Sequence, residues 1–541
     1  MLSTMQHGQL GVAQLLRYGT TVHGDGEVVT WTGAEPRRHT YTELGRDAAR
    51  LAHGLRAIGV AGDIRVATFM WNNYEHLTAY LAVPAMGAVL HTLNIRLFPD
   101  QLVYIVNHAE DRVVLADASL LSALIPLLPK MPTIEHLVVS GDADAIEVPS
   151  GVTLHHYDRL LSGQPHKFDW PNIDETSAAA MCYTSGTTGD PKGVAYSHRS
   201  IWLHSMGTCM TDNLAVAQSD RILPVVPMFH AMSWGLPYGA LMVGASLVLP
   251  DRFLQPHAIA AMLAAEQPTK VAAVPTILQG LLQHLSEHPQ DVSHLQEAIV
   301  GGSSCPPALM EAFKQTFRVQ LLPAWGMTET SPVGTVARPP AGTPDPLRYL
   351  HTQGRFPASV QARLVDREGN ELPWDDRAVG ELEVSGPWIT GPYYSPEPAN
   401  TVDADHFHDG WLRTGDVGRI SADGFLTLTD RYKDIIKSGG EWISSIDIEN
   451  LVMTHPDVAE AAVIAIPDAK WQERPLAVVV MKAGHHTTAD DLRAFLSDKL
   501  ARWQLPENWA FVDEIPKTSV GKLDKKRLRA AHAAGSLGAQ R

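Results

Sequence analysis

Hydrophobic and polar residues alternate along the chain with recurring periods. Between residues 41 and 60, Leu44, Ala48, Leu51 and Leu55 follow one another at steps of three or four residues, which predicts a helix with one apolar face. Short apolar runs, such as RVATFM, VVLAD, HLVVS and AAVPT, are interleaved with helical stretches of this kind. That order of elements is typical of parallel β-α-β units and predicts an α/β body.

One β-α unit can be read in full from the segment EAIVGGSSCPPALMEAFKQTF. Its strand is expected to end near Val300, and Gly301 and Gly302 form the turn. Pro306 and Pro307 open the helix, because proline fits the first helical turn. Ligands of such sheets bind at the carboxyl ends of the strands. The two glycines therefore lie where a ligand is expected.

The pattern changes twice in the second half of the chain. After about residue 350, the runs VQARLVDREGNELP, GELEVSGPWI and GFLTLTDRYKD predict short strands separated by polar turns, as in a small barrel or meander. From Glu441 onward, the strands AAVIAI and LAVVVM and a helix beginning near Thr488 predict a compact α+β unit, and Thr488 has capping-box spacing to Asp491. The apolar face of that helix is expected to comprise Leu492, Phe495, Leu496 and Leu500.

We therefore predict an α/β protein with three parts. Residues 1–430 form a large N-terminal domain of β-α-β layers with a small barrel-like β subdomain. Residues 431–436 form a hinge linker, and residues 437–541 form a small mobile α+β domain. The length of 541 residues supports such a division, because one hydrophobic core rarely organises so long a chain.

Composition and charge narrow the functional classes. Apolar residues make up 45% of the chain and charged residues 19%, which are ordinary values for a folded globular protein. The formal net charge of −16 argues against a general nucleic-acid binder, because phosphate backbones repel an acidic surface. Cys182, Cys209 and Cys305 have neither zinc-site spacing nor a disulfide framework, which suits a reducing cytoplasm.

The N-terminus and the apolar runs predict a soluble, cytoplasmic protein. The first residues lack a basic segment followed by an apolar core, so no signal peptide is expected. No run approaches the roughly 18 apolar residues that a membrane span requires. Peripheral contact with a membrane stays open, although no basic amphipathic helix indicates it.

The segment YTSGTTGDPKG, from Tyr183 to Gly193, combines three glycines with hydroxyl residues and Lys192 directly after the apolar run AAAMC. The backbone N–H groups of a glycine-rich turn converge on one point, hydroxyl groups add donors, and a lysine adds positive charge. This combination suits a phosphate group. The segment does not fit the Walker template, because Gly193 and Val194 follow Lys192 where serine or threonine is required. It therefore predicts a different type of nucleotide loop.

The whole segment resembles the phosphate loop of the acyl-adenylate-forming superfamily, which includes acyl-CoA synthetases, firefly luciferases and peptide-synthetase adenylation domains. Further motifs occur in the order typical of that superfamily: GGSSCPP, WGMTETSP, RTGDVG, DRYKDIIKSGGEWIS and PKTSVGK. The resemblance covers nearly the whole chain. The segments PVVPMFHAMSW, GPWITG, KWQERPLAVVV and RWQLP are most similar to bacterial medium- and long-chain fatty acyl-CoA synthetases.

The resemblance implies ATP, Mg²⁺ and coenzyme A as the small-molecule partners. Thr184 and Glu329 would hold the metal ion, a hard cation that prefers oxygen ligands. Trp325 would stack on adenine, and Asp416 and Arg431 would hold the two ribose hydroxyls. The full set of residues implied on the nucleotide and CoA side is Thr184, Ser185, Gly186, Thr187, Thr188, Gly189, Lys192, Gly302, Ser303, Ala324, Trp325, Gly326, Met327, Thr328, Asp416, Arg431, Lys437, Gly439, Gly440 and Trp442.

The same resemblance implies which residues carry the chemistry. Lys522 would be the catalytic lysine that neutralises charge on the reacting α-phosphate and carboxylate, and Glu329 would act through the metal ion. Lys433 would be the hinge at which the C-terminal domain rotates, withdrawing Lys522 and presenting SGGEW to the pantetheine arm of CoA. His230 would lie beside the reacting carboxylate. The acid pocket would be lined by His230, Trp234, Gly301 and Gly302.

Together these features predict an ATP-dependent ligase that joins a hydrophobic carboxylic acid, such as a medium- or long-chain fatty acid, to CoA. Four alternatives stay open: an acyl-AMP ligase that loads a carrier protein, a CoA ligase for an aryl, thioether or branched acid, a luciferase-like oxygenase, and an inactive acyl-binding protein. Related synthetases also imply a homodimer. We expect neither nucleic-acid binding nor integral membrane contact.

Overall fold

Three β-sheets organise the described part of the chain. The computed structural model describes residues 1, 3–142, 146–184, 190–366, 368–396, 403, 406–438, 441–518 and 523–538, with the backbone alone at 441 and 442. Its strands are, in chain order, β1 (Glu27–Thr30), β2 (Arg37–Thr40), β3 (Arg65–Phe69), β4 (Val89–Thr92), β5 (Val113–Asp117), β6 (His136–Ser140), β7 (Thr153–His156), β8 (Ala178–Tyr183), β9 (Gly193–Ser197), β10 (Arg221–Pro224), β11 (Ser246–Leu249), β12 (Lys270–Ala273), β13 (Glu297–Val300), β14 (Gln320–Gly326), β15 (Val333–Val336), β16 (Gly354–Arg355), β17 (Gln361–Val365), β18 (Glu371–Leu372), β19 (Gly380–Ser385), β20 (Phe407–His408), β21 (Trp411–Ile420), β22 (Phe425–Arg431), β23 (Ile436–Ser438), β24 (Glu441–Ile443), β25 (Val458–Asp468), β26 (Gln472–Met481) and β27 (Asn508–Phe511).

Helices cover the faces of these sheets. The α-helices are α1 (Val12–Val22), α2 (Tyr41–Ala57), α3 (Tyr74–Ala85), α4 (Pro99–Ala109), α5 (Leu121–Leu124), α6 (Tyr157–Leu161), α7 (His198–Cys209), α8 (Leu236–Val243), α9 (Pro256–Glu266), α10 (Pro275–Glu287), α11 (Pro307–Phe317), α12 (Pro346–Leu350), α13 (Ser445–Met453), α14 (Ala489–Leu496) and α15 (Lys525–Ala533). Short 3₁₀ segments lie at Ala118–Leu120, Ile125–Lys130, Ala231–Gly235 and Thr328–Thr330.

The first sheet has the strand order β7-β6-β5-β3-β4-β8-β9 among the described residues. Its neighbours are parallel apart from β8 and β9, which form an antiparallel hairpin. The predicted phosphate loop connects the two strands of this hairpin. The helical face predicted between residues 41 and 60 is confirmed, because Leu44, Ala48, Leu51 and Leu55 of α2 are all fully buried.

The second sheet joins parallel and antiparallel parts through β14. Its order is β18-β17-β19-β21-β22-β16-β15-β14-β13-β12-β10-β11-β1-β2, with β20 beside β21. The first half of β14 pairs with β13 in parallel, and its second half, from Ala324, pairs with β15 in antiparallel fashion. The antiparallel region predicted after residue 350 is therefore continuous with the parallel body, because one strand belongs to both.

The β-α unit around Val300 has the predicted form. β13 ends at Val300, and α11 begins at Pro307 with Pro306 in the N-cap position. Gly302 has a φ of 84°, a left-handed conformation that side chains with a Cβ rarely adopt. The glycine pair therefore provides the turn at the carboxyl end of this strand.

The third sheet comprises β24-β23-β26-β25, with β27 beside β26, and forms the core of the C-terminal part. Thr488 and Asp491 make the predicted capping box at the start of α14. The helix ends at Leu496, so Leu500 lies outside it, although the Leu500 N–H still donates to the Leu496 carbonyl at 3.0 Å. The predicted helical face is therefore one turn too long.

The chain crosses from the second sheet to the third between Arg431, the last residue of β22, and Ile436, the first of β23. The division into residues 1–430, 431–436 and 437–541 stays a prediction. Among the described residues, no helix is long and apolar enough to cross a membrane.

Candidate active site

The strand β14 places the predicted adenine-side residues at one strand end. Ala324, Trp325 and Gly326 end the strand, and Met327 and Thr328 follow directly. A Cβ added at Gly326 would lie 1.9 Å from the carbonyl oxygen of the nearby residue 332, so a side chain cannot be accommodated there. The glycine of this motif is thus required by close approach of two backbone segments.

Asp416 lies at the centre of a buried hydrogen-bonded group. Its side chain is 3% exposed, and its Oδ1 lies 2.6 Å from the Arg431 Nε. The indole Nε1 of Trp325 donates to its Oδ2 at 2.8 Å. Each carboxylate oxygen can accept a second hydrogen bond. Asp416 is therefore held in one orientation and still has acceptor capacity for a pair of hydroxyls.

Trp325 is packed in the interior beside Phe356 and Gly334. It is 7% exposed, and its ring lies 6.2 Å from that of Phe356, measured between ring centroids. A Cβ added at Gly334 would come within 2.3 Å of the indole ring. The adenine-stacking role stays a prediction, and the structure adds a contact that the sequence did not suggest, the hydrogen bond that orients Asp416.

Glu329 lies in the 3₁₀ turn after β14 and is 6% exposed. Its backbone carbonyl accepts from the Thr390 N–H at 2.9 Å. The hydroxyl of Tyr393 donates to its Oε1 at 2.7 Å. The carboxylate is thus largely desolvated and fixed by the loop that carries Thr390 and Tyr393.

The two ends of the phosphate loop are joined by hydrogen bonds. The Thr184 N–H donates to the Lys192 carbonyl at 2.9 Å, and the Lys192 N–H donates to the Thr184 Oγ1 at 3.1 Å. Tyr183 and Gly193 are paired in the flanking hairpin. The Tyr183 hydroxyl lies 2.7 Å from the His108 Nδ1 on α4, and this contact anchors the base of the loop to the body.

The side chain of Lys192 contacts acidic and aromatic groups. Its Nζ lies 3.1 Å from the Asp403 Oδ2 and 3.1 Å from the His406 Nδ1. The ammonium also lies 4.7 Å from the centroid of the Tyr393 ring. The side chain is 33% exposed, so its charge is available to a phosphate that displaces Asp403.

The predicted acid-side residues follow β10 in a left-handed turn. His230 precedes Ala231, Met232, Ser233 and Trp234, whose φ angles are 44°, 53°, 50° and 57°. Left-handed backbone costs roughly 1–2 kcal/mol per residue with a Cβ. A run of four such residues persists only where surrounding contacts hold it, and strain of this kind is common at functional sites.

Several side chains hold the segment that leads to this turn. The Asn72 amide donates to the Pro224 and Val226 carbonyls at 3.0 and 2.9 Å, and its oxygen accepts from the Met228 N–H at 2.7 Å. The Tyr80 hydroxyl donates to the Met228 carbonyl. The position of His230 therefore depends on buried polar groups of the first sheet region.

The Trp234 side chain packs against the glycine turn after β13. It is 9% exposed. A Cβ at Gly301 would lie 3.1 Å from the indole and 3.2 Å from the Ala324 carbonyl oxygen. Gly302 and Ser303 are exposed beside it. The absence of a side chain at Gly301 thus lets the predicted acid pocket and the predicted adenine strand approach each other.

Buried charged side chains lie close together at the seam between the second and third sheets. The Asp430 Oδ2 accepts from the Ser445 N–H at 2.6 Å, at the start of α13. The Lys525 Nζ lies 2.7 Å from the Glu449 Oε1 and donates to the Ser445 Oγ at 2.6 Å. Burial raises the pKa of Asp430. Burial alone would lower the pKa of Lys525, but Glu449 and Asp430 raise it overall, so its charge persists.

Lys433 lies in the connection between β22 and β23, and Lys437 lies in β23. Lys433 is exposed in a turn whose residues 434 and 435 both donate backbone N–H groups to the Arg431 carbonyl. The Lys437 N–H donates to the Glu473 Oε2 at 2.7 Å, and its Nζ lies 4.8 Å from the Tyr432 ring centroid. Their roles as hinge and nucleotide contact stay predictions.

Other predicted site residues lie outside the described part of the chain. These are Lys522, Ser185, Gly186, Thr187, Thr188, Gly189, Gly439 and Gly440, and only the backbone of Trp442 is described, where it pairs with Lys437. The residues that sequence reasoning missed are Tyr393, Asp403, His406 and Asn72. No sequence signal joins them to the site, because each is far along the chain from the group it contacts.

The chain matches two family models. The model described as "AMP-binding enzyme" matches residues 18–394, and "AMP-binding enzyme C-terminal domain" matches residues 447–522. The medium-chain-fatty-acid–CoA ligase of Ectopseudomonas oleovorans is 41% identical over 535 residues, which are 98% of this chain and 97% of that protein.

Two further proteins are similar over almost their whole length. The 3-methylmercaptopropionyl-CoA ligase of Ruegeria lacuscaerulensis is 40% identical over 537 residues, 98% of each chain. The solved structure of ATP-bound MatB from Rhodopseudomonas palustris has a TM-score of 0.82 and 26% identity, covering 97% of this chain and 100% of that one.

Proposed function

The chain belongs to the AMP-binding enzyme family, and we propose that it joins a hydrophobic carboxylic acid to CoA at the expense of ATP. In the first half-reaction, the acid carboxylate attacks the α-phosphate of ATP, and pyrophosphate leaves. In the second, the CoA thiol attacks the acyl carbon, its proton is lost, and AMP leaves. The identity of about 40% to CoA ligases over nearly the whole chain supports this reaction.

The single observation that carries the nucleotide part is the orientation of Asp416. Trp325 and Arg431 each engage one of its oxygens, so the carboxylate cannot turn away from the pocket. A bidentate acceptor fixed in this way suits the two adjacent hydroxyls of a ribose. Because both half-reactions use a nucleotide with that ribose, Asp416 would serve both.

The donor set beside the phosphate loop fits Mg²⁺. Glu329 offers a carboxylate oxygen and Thr184 a hydroxyl oxygen, which are hard ligands of the kind that Mg²⁺ takes together with substrate phosphates. When bound, the ion would neutralise charge on the phosphates during attack. Lys192 would exchange Asp403 for the phosphates, and Thr187, Thr188 and Gly189 would supply backbone and hydroxyl donors.

The acid would enter between His230 and Trp234. His230 would orient the carboxylate, and Trp234 would move from Gly301 to admit the acyl chain. We propose a fatty acid as the substrate class, because the similarity to the medium-chain enzyme is spread over the whole chain. A short thioether acid is the second candidate, because the 3-methylmercaptopropionyl-CoA ligase is similar to the same extent.

The transfer step would need the C-terminal part to move. Lys522 would neutralise charge during adenylation, and rotation at Lys433 would then withdraw it so that Gly439 and Gly440 face the pantetheine arm. Lys437 and Trp442 would contact the nucleotide side. One site cannot hold the lysine and the thiol at the acyl carbon together, which supports a two-position mechanism.

We also propose that the enzyme works as a homodimer in the cytoplasm. The three cysteines are free, and Cys182 and Cys305 are buried, which fits a reducing compartment. Light scattering of the purified chain at micromolar concentration should give a mass about twice 59.0 kDa. A mass of one chain across the concentration range would contradict the dimer.

A panel of acids tests the proposed activity directly. The chain with Mg²⁺, ATP and CoA is incubated with C4 to C18 fatty acids and with branched, thioether and aryl acids, and AMP, pyrophosphate and free thiol are measured. Release of AMP together with loss of thiol supports the ligase. Pyrophosphate release without AMP release or loss of thiol would favour an acyl-AMP ligase that loads a carrier protein, and no ATP cleavage with any acid would rule the proposal out.

A further inference from the structure

Tyr393 contacts two predicted parts of the nucleotide site at once. Its hydroxyl donates to the Glu329 Oε1 at 2.7 Å. The Lys192 Nζ lies 4.7 Å from the centroid of its ring. One side chain therefore joins the carboxylate proposed to bind the metal ion to the lysine proposed to bind the phosphates, although neither residue is near Tyr393 in sequence.

The backbone around Glu329 is already fixed on both sides. The Thr390 N–H donates to the Glu329 carbonyl at 2.9 Å, and the Tyr196 hydroxyl donates to the Thr328 carbonyl at 2.7 Å. The freedom that remains is rotation of the Glu329 side chain. The Tyr393 hydroxyl limits this rotation, because a hydrogen bond to a charged carboxylate is short and strong.

The same hydrogen bond differentiates the two carboxylate oxygens. Oε1 already accepts from Tyr393, so among the described residues Oε2 is the Glu329 oxygen with more lone-pair capacity left for a cation. Such an arrangement favours coordination through one oxygen. This is the mode that leaves most room for phosphate and water ligands around a small ion such as Mg²⁺.

The ring of Tyr393 contacts the Lys192 ammonium, and its hydroxyl contacts Glu329. Within the described part of the chain, Lys192 pairs with Asp403 and not with Glu329. An aromatic face attracts an ammonium group without neutralising a neighbouring carboxylate. Lys192 therefore lies against the side chain that holds Glu329, and among the described residues its ion pair is with Asp403.

The surroundings keep the Tyr393 ring in place. Its ring packs edge-on against His406 and Phe407, with centroid distances of 5.5 Å in both cases. The side chain is therefore held at both ends, because its ring packs in this cluster and its hydroxyl donates to Glu329.

We infer that Tyr393 is a positioning residue that sets the Glu329 carboxylate for a divalent cation and provides the aromatic face beside which Lys192 meets the phosphates. This inference rests on the proposed function, since it assumes that a metal–nucleotide complex binds here. It assigns to Tyr393 an effect on metal affinity that a purely structural tyrosine would not have.

The test replaces Tyr393 by phenylalanine, which keeps the ring and removes the hydroxyl. Mn²⁺ binding is measured by electron paramagnetic resonance in the presence of an ATP analogue with a non-cleavable α,β-bridge. Tyr394→Phe is the matched control, because Tyr394 interacts through its backbone N–H with the Gly193 carbonyl and through its ring with His108, and both contacts survive the change.

We expect Tyr393→Phe to weaken Mn²⁺ binding about 10-fold, in line with loss of one hydrogen bond to a charged group, and to leave metal-free binding of the analogue within about 2-fold. Tyr394→Phe should match the wild type in both. In the enzyme assay, the Mg²⁺ concentration for half-maximal rate should rise about as much, while the rate at saturating Mg²⁺ recovers to within about 3-fold.

A double-mutant cycle separates positioning from general damage. In a Glu329→Gln background, the change Tyr393→Phe should have little further effect on Mn²⁺ affinity. Equal Mn²⁺ affinity of Tyr393→Phe and wild type, or additive effects in the cycle, would overturn the inference. If the wild type cleaves no ATP with any acid, the proposed function fails, whereas the Mn²⁺ titration still decides the role of Tyr393.

Discussion

Asp430 and Arg431 are consecutive residues of β22, yet they contact different parts of the molecule. The Arg431 Nε lies 2.6 Å from the Asp416 Oδ1 in the proposed nucleotide pocket. Asp430 projects to the other face of the strand and accepts from the Ser445 N–H of α13 at 2.6 Å. Arg431 therefore belongs to the pocket of the body, and its neighbour Asp430 belongs to the seam with the C-terminal part.

The contacts in the two regions differ in kind. Asp416 and Arg431 are cross-strand partners in β21 and β22, so the sheet itself holds them together. The seam contacts join separate sheets through side chains, as in the pair of Lys525 and Glu449. If the C-terminal part rotates at Lys433, the pocket contact persists and the contact of Asp430 with α13 is exchanged. On this hypothesis the sheet preorganises the pocket, and the movement replaces the seam contacts.

The largest effect is expected for Lys522, in the C-terminal part that is proposed to rotate. Lys522→Ala should lower adenylation by about 10³-fold, because charge on the α-phosphate is no longer neutralised, and should leave transfer from synthetic acyl-AMP to CoA within about 3-fold. ATP–pyrophosphate exchange measures the first step and acyl-CoA formation from acyl-AMP the second. Equal loss in both steps would remove the distinction between pocket and seam.

A substitution in the proposed nucleotide pocket should affect both half-reactions and not only one. Asp416→Ala should lower both half-reactions by about 10²-fold, since each uses the same ribose and the change also leaves the Trp325 N–H and Arg431 without their acceptor. Asp430→Asn, one residue before Arg431, is the control and should leave binding of the ATP analogue within about 3-fold. A selective effect of Asp416→Ala on one step would contradict its shared role.

The seam itself can be tested through stability. Lys525→Met leaves Glu449 buried without its cation and should lower the free energy of unfolding of the C-terminal part by about 3–5 kcal/mol. Adding Glu449→Gln should restore most of this loss, because the amide oxygen can still accept from the Val463 N–H. Calorimetry of the three proteins measures the differences. A single variant as stable as the wild type would show that the pair is not needed.

The smallest effect concerns a buried carboxylate of the body far from the seam. Asp117 accepts from the Trp71 N–H at 2.7 Å and from the Asn73 amide, and burial raises its pKa to about 7. The unfolded value is about 3.9, so the folded chain keeps a proton that the unfolded chain loses between roughly pH 4 and 7. Stability should therefore fall as pH rises through this window.

Asp117→Asn removes that titration and provides the comparison. Between pH 5 and pH 8, the wild type should lose about 1–3 kcal/mol more of its free energy of unfolding than the variant does. Denaturant unfolding at both pH values measures this difference. Identical pH profiles would show that Asp117 does not titrate in this range.

Much of the fold could be predicted because its signals are local. The steps of three and four between Leu44 and Leu55 describe one helix face, and the glycine turn after Val300 reports the end of one strand. Each of these two predictions depends only on residues close together in the sequence, and the structure confirms both. The length of α14 was predicted less well, since Leu500 continues the apolar spacing although the helix ends at Leu496.

The sequence by itself determined the α/β class, the main motifs and the reaction, because turn glycines, proline positions and motif order are properties of the chain. Only the tertiary structure decided which side chains meet. Tyr393 and Glu329 are 64 residues apart, and Trp325 and Asp416 are 91 apart, so no spacing rule could pair them. The switch of β14 from parallel to antiparallel pairing, also invisible in its own residues, places Trp325 in the antiparallel part of the sheet that contains Asp416, because one strand belongs to both parts.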